Sequence, residues 1–102
     1  MIHVIATIEL KPGQRDAFLA EFHRLMPLVH AEAGCIEYGP NIDVASGLSM
    51  QAPLRDNVAV ILEKWESLDA LKAHTQAPHM ADYRVRVRDF VVSVQLQILT
   101  PA

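Results

Sequence analysis

The residues best able to do chemistry cluster in one stretch. Glu63 to His79 holds the single Trp, Trp65, and two of the five His, His74 and His79. An imidazole titrates near neutrality, so His74 is the candidate general base. Trp65 offers a flat apolar wall and one N–H donor. Glu63 can orient a neighbouring group, and upstream Tyr38 and Asn41 can hold a substrate oxygen. His79 follows Pro78 near a helix start, where the helix dipole disfavours its protonated form. Each residue also has a structural use. A helix-terminal His compensates the dipole, a lone Trp fills a core, a strand Tyr and a turn Asn pack or cap, and a strand Glu pairs across an interface.

Other chemistries lack their groups. His74 and His79 are five apart with a proline between them, and His23 and His30 are seven apart on another helix, so neither pair has helical metal-ligand spacing. No metal site is expected. The single cysteine, Cys35, has no partner for a zinc or redox motif and reads as a small buried hydrophobe. There is no glycine-rich phosphate loop and no serine nucleophile elbow.

These groups must be positioned by the elements around them. Ile2, Val4, Ala6, Ile8 and Leu10 alternate with His3, Ile5, Thr7 and Glu9, which predicts a strand. Lys11-Pro12-Gly13 punctuates, and from Gln14 the period changes. Phe18, Phe22, Leu25 and Val29 form one stripe of an amphipathic helix, loosened late by Pro27 and stopped near Gly34. Ile36, Tyr38, Ile42 and Val44 predict a second strand, bent or edge-like at Gly39-Pro40. Ala45 to Asp56 reads as a long loop, of the kind that forms lids or meets partners. Asn57 to Trp65 is the third strand, with a continuously apolar run from Val58 to Leu62 that suggests burial on both faces.

Ser67 is a good N-cap, Asp69 suits the first turn, and Leu68 and Leu71 are expected to face inward. That helix should end near Gln76, and Pro78 can start another. Met80, Tyr83 and Val87 give this next helix a stripe, although Tyr83 to Arg88 also alternates as a strand would. Val92, Val94, Leu96 and Ile98 predict the last strand.

The order β-α-β-β-α-β, with the second helix broken in two, predicts a ferredoxin-like α+β domain. In it an antiparallel sheet carries its helices on one face. The open face is expected to carry His3, Ile5, Thr7, Glu37, Asn41, Ile61, Glu63, Ser93 and Gln95. This mixed surface suits a homodimer.

Bulk properties agree with one small domain. The chain has 102 residues, 51% of them hydrophobic, and a net charge of -3. That balance gives no electrostatic footprint for nucleic acid, and no basic cluster suggests a membrane surface. No apolar run reaches spanning length. The N-terminus opens on a strand pattern rather than a signal peptide, and cysteine usage is compatible with a reducing cytoplasm.

Three pieces taken in order resemble the antibiotic biosynthesis monooxygenase (ABM) family. They are Glu32-Ala33-Gly34-Cys35-Ile36-Glu37-Tyr38, then Glu63-x-Trp65-x-Ser67-x-x-x-Leu71-x-x-His74, then Pro78-His79. The resemblance implies a dimeric α+β barrel. It also implies oxidation of a quinol-like or polycyclic phenolic compound with O2, without cofactor. In such chemistry a base deprotonates the phenol, the anion reduces O2, and the protein supplies donors and dry walls. His74 would be the base, Trp65 wall and donor, and Tyr38, Asn41, His79 and Glu63 would bind substrate. The haem-degrading branch fits poorly, because Ala6-Thr7-Ile8 lacks the Asn that branch uses. A non-catalytic ligand-binding or stress-associated dimer, and a proton-transfer enzyme such as an isomerase, stay open on the same architecture.

Overall fold

The structure is a computed structural model covering residues 1–102. Its elements run β1 (Ile2–Leu10), α1 (Arg15–His30), β2 (Cys35–Asn41), β3 (Val58–Trp65), α2 (Leu68–Thr75), α3 (Pro78–Val87) and β4 (Val91–Leu99). The four strands form one sheet in the order β2-β3-β1-β4, and every neighbouring pair is antiparallel. This is the ferredoxin-like α+β arrangement, with β2 at an edge, where Pro40 is tolerated. No helix is long and apolar enough to cross a membrane.

Alternation sets the faces of β1. Val4, Ala6, Ile8 and Leu10 are buried against the helices. Phe18, Phe22, Leu25 and Val29 of α1 meet them, each almost fully buried. Phe22 stacks on Tyr38 of β2 at 5.2 Å, and Tyr83 of α3 meets Phe22 edge-on at 6.0 Å. α1 runs through Pro27 to His30, and the Pro27 carbonyl accepts from the Ala31 N–H. Proline removes a donor from the preceding turn but leaves its own acceptor usable.

Ser67 caps α2 by accepting from the Ala70 N–H at 3.1 Å. Pro78 opens α3, whose buried stripe is Met80, Tyr83 and Val87. The residues from Tyr83 to Val87 are therefore helix, not strand. A strand there would leave the buried side of Met80 and Tyr83 without a continuous stripe.

Four expectations are corrected. Ile61 and Glu63 lie on the helix side, buried, rather than on the open face. In a run as uniformly apolar as Val58–Leu62, alternation cannot set which side is which. Pairing sets it instead, with Ile61 opposite Ala6 and Glu63 opposite Val4. Leu68 is exposed, because it opens α2 at the sheet margin while Leu71, three residues on, turns inward. β2 stops at Asn41, so Ile42 and Val44 lie outside it and are exposed. Cys35 is only partly buried, packed at the edge of the core rather than within it.

The segment from 42 to 57 has no helix or strand. It is fastened at its base by Arg55, whose guanidinium donates to both Asp43 carboxylate oxygens at 2.8 and 2.9 Å. That pairing holds the Asp43 carboxyl down to about 2. The open sheet face carries His3, Ile5, Thr7, Leu62 and Lys64, with Lys64 paired to Glu37 at 3.0 Å.

Candidate active site

A cavity of about 530 Å³ lies between the helix side of the sheet and helices α2 and α3. Small and branched residues form its floor: Val4, Ala6 and Ile8 of β1 with Ile61 of β3. Leu71, Met80 and Val87 form the roof. Val94, Leu96 and Ile98 of β4 line it while staying half exposed, so this is the open side. Of its nineteen lining residues, fourteen are hydrophobic, the composition of a small-molecule site with a few placed polar groups.

Those polar groups converge at the closed end. Tyr38, Glu63 and His74 all line the cavity and are all buried. The Tyr38 and His74 rings meet edge-on at 5.3 Å. Burial, reinforced by the Glu63 charge, pushes the Tyr38 phenol far up, so it stays a neutral donor. Burial likewise pushes the Tyr83 phenol up. Burial also raises Glu63, partly offset by its bond from Trp65 and by the nearby His74.

His74 presents one nitrogen to each side. Its Nδ1 lies 2.9 and 3.2 Å from the two carboxylate oxygens of Glu32. A carboxylate only accepts, so Nδ1 is the donor, and in the neutral imidazole Nε2 carries the lone pair. Every side-chain nitrogen and oxygen sealed from solvent has a partner in the chain. His74 Nε2 has no partner in the chain and so keeps some exposure, and His74 itself lines the cavity. A neutral imidazole held in this tautomer, with a lone pair facing an apolar chamber, can take a proton from a bound hydroxyl.

The other residues singled out in the sequence fall in different places. Trp65 is fully buried and lies behind His74, ring to ring at 4.7 Å, rather than on the cavity wall. Its indole N–H donates to Glu63 at 2.9 Å. His79 also lies off the cavity, with Nε2 2.7 Å from Glu32. Asn41 is exposed beyond it, donating to the Gly39 and Val60 carbonyls.

Two residues of this site were not picked out from the sequence. Glu32 gathers both histidines, yet it appeared only as the first residue of a family motif. A signal was available: Glu32 sits just past the C-terminus of α1, where the helix dipole disfavours an anion, so its charge needs partners elsewhere. His30 positions β2 through its Nε2, 2.7 Å from the Tyr38 carbonyl. No group of three His, Cys, Asp or Glu side chains is placed to hold a metal ion.

Comparison with known proteins agrees with this architecture. The chain is 42% identical over 103 residues to a protein named "Probable quinol monooxygenase YgiN" from Escherichia coli, covering 99% of this chain and 98% of that one. Rv0793 from Mycobacterium tuberculosis superposes with a TM-score of 0.80 at 25% identity, covering 99% and 94% of the two chains. PA3566 from Pseudomonas aeruginosa gives the same TM-score at 24% identity, covering 99% and 93%. The sequence profile described as antibiotic biosynthesis monooxygenase matches residues 1–86, which takes in α2, all but the last residue of α3 and the polar groups Glu32, Tyr38, Glu63 and His79 around His74, and the chain belongs to that family.

Proposed function

We propose that this protein is a monooxygenase that oxidises a quinol-like or polycyclic phenolic compound with O2, without a bound cofactor. The observation that carries the reading is His74, a buried imidazole that lines an apolar cavity beside the Tyr38 ring, with Nδ1 on Glu32 and Nε2 unpartnered. The match to a relative named for quinol oxidation supports the substrate class.

The substrate enters from the β4 side and lies against the branched floor. Its hydroxyl gives a proton to His74 Nε2. The electron-rich anion passes one electron to O2, and the two radicals join through a new C–O bond. The O–O bond of that peroxide then breaks. One oxygen stays as a carbonyl and the other leaves as water, with two hydrogens drawn from the substrate.

Tyr38, held neutral by burial, donates to the developing oxyanion. Trp65 backs His74 and fixes Glu63, while Asn41, outside the cavity, positions the edge of β2. His79 acts through Glu32 rather than on the substrate. The open sheet face, with Ile5 and Leu62 among polar neighbours, is the surface through which two copies pair as a homodimer.

Oxygen consumption by metal-free protein tests the reading, using naphthoquinols and anthrones with autoxidation subtracted. Wild type should show saturable uptake. His74→Ala should lose roughly 10²–10⁴-fold in turnover while keeping its melting temperature within a few degrees. Full turnover in a folded His74→Ala protein sinks the assignment.

A further inference from the structure

Three elements bring their side chains to one point behind His74. Glu32 comes from the turn after α1, His74 from α2 and His79 from the first turn of α3. A single carboxylate oxygen, Glu32 Oε2, lies 2.9 Å from His74 Nδ1 and 2.7 Å from His79 Nε2. Side-chain exposure rises along this line, from 5% at His74 through 14% at Glu32 to 23% at His79. The three groups thus form an unbroken hydrogen-bonded line from the cavity to the surface.

We infer that Glu32 and His79 are a proton relay between His74 and solvent. The inference rests on His74 acting as the base of the proposed oxygenation. A buttress alone needs one bond to His74, and Glu32 supplies it. A second imidazole on the same oxygen adds a group able to take a proton on one nitrogen and release one from the other.

The relay has a use in this chemistry because O2 arrives after deprotonation. A proton left on His74 Nε2 returns to the substrate oxygen and cancels the anion. With the relay, His74 Nε2 gains the substrate proton and Nδ1 yields its own to Glu32. At rest His79 Nε2 also donates to Glu32; once His79 has exchanged through water to its other tautomer, Glu32 passes a proton to that Nε2 and His79 Nδ1 releases one to water. No electrons move, and one proton leaves the cavity. When the peroxide oxygen departs as water the line runs inward, returning one proton and restoring both ring tautomers.

Other titratable groups around His74 are poorly placed for this work. Glu63 faces it from β3 but is engaged by the Trp65 indole. Tyr38 and Cys35 of β2, and Tyr83 of α3, are all held protonated by burial. Arg84, at the open side, donates to the Thr75 carbonyl.

The test measures oxygen uptake with an anthrone at fixed pH, in a dilute and bulky buffer, for wild type, His79→Gln, His79→Phe and Glu32→Gln. His79→Gln keeps a donor to Glu32 but has no ring to pass a proton. Both His79 variants should lose about tenfold or more in kcat with KM unchanged, and added imidazole should restore them saturably. Glu32→Gln should fall further without restoration, since the break lies inside the protein. Full kcat in the His79 variants, or a loss that imidazole leaves untouched, overturns the relay. Failure of the oxygenase reading looks different, because wild type itself then shows no uptake. In that case 4-nitrophenol bound in the cavity is the probe. Its colour change after a pH jump should lag in His79→Gln and recover with imidazole, and an unchanged rate overturns the relay.

Discussion

Trp65 and Glu63 lie two residues apart on the same side of β3, and the indole N–H donates to Glu63 Oε1 at 2.9 Å. Both are buried, Trp65 completely. The pair places a carboxylate at the closed end of an apolar cavity and gives it a single fixed donor. A buried carboxylate without a donor is costly, so the tryptophan holds more than volume here.

Trp65→Phe removes that donor and part of the core. We expect a loss of about 1–3 kcal/mol from the unpaired carboxylate, with a further cavity contribution. The carboxylate part depends on pH. The bond favours the ionised form of Glu63, so its loss weighs most where Glu63 is ionised and least where it is protonated. Urea unfolding at a series of pH values from below 4.5 upward should show the deficit growing as pH rises, and a deficit that stays constant contradicts this.

Glu63→Gln tests the burial cost from the other side. Burial raises the folded-state pKa of Glu63 above its ordinary 4.5. Its contribution to stability is therefore fully present below 4.5 and is lost as pH rises through the raised folded value. The glutamine variant, which still accepts from Trp65, should gain on wild type across that window and level off above it. Chemical unfolding at a series of pH values reads the gap, and a gap that shrinks as pH rises has the wrong sign.

Gly34 couples the fold to the site. It has φ +82°, and a Cβ there would lie 2.6 Å from Ala70 Cβ on α2. Gly34→Ala should cost about 1–3 kcal/mol from strain and overpacking. It should also move the turn carrying Glu32 away from His74, lowering turnover. Gly13 has φ +78° but open space around it, so Gly13→Ala should carry strain alone and leave turnover intact. Equal turnover in the two variants would separate Gly34 from the site.

Much of this was legible in the sequence because period carries it. β1 and α1 each follow one clear repeat, the Met80, Tyr83, Val87 stripe competes with a strand alternation from Tyr83 to Arg88 that helix wins, and Ser67 and Pro78 mark the starts of α2 and α3. The face of β3 was not legible, since Val58 to Leu62 offers no alternation and pairing with β1 decides it. His74 could be singled out by residue type. Its partnership with Glu32 and His79 could not be read, because Glu32 lies 42 positions away and His79 reaches the same oxygen from another helix. Nothing local marks Trp65 as lying behind His74 rather than beside a ligand, since that depends on how β3 and α2 pack.

The most direct measurement of the central claim follows the oxygen atoms. Metal-free protein would turn over an anthrone under isotopically labelled O2, with wild type and His74→Ala run side by side and autoxidation subtracted. The account predicts one labelled oxygen in the organic product and the other in water, with the enzymatic signal lost in His74→Ala. Unlabelled product with O2 recovered as hydrogen peroxide, or equal incorporation by the folded His74→Ala protein, would contradict it.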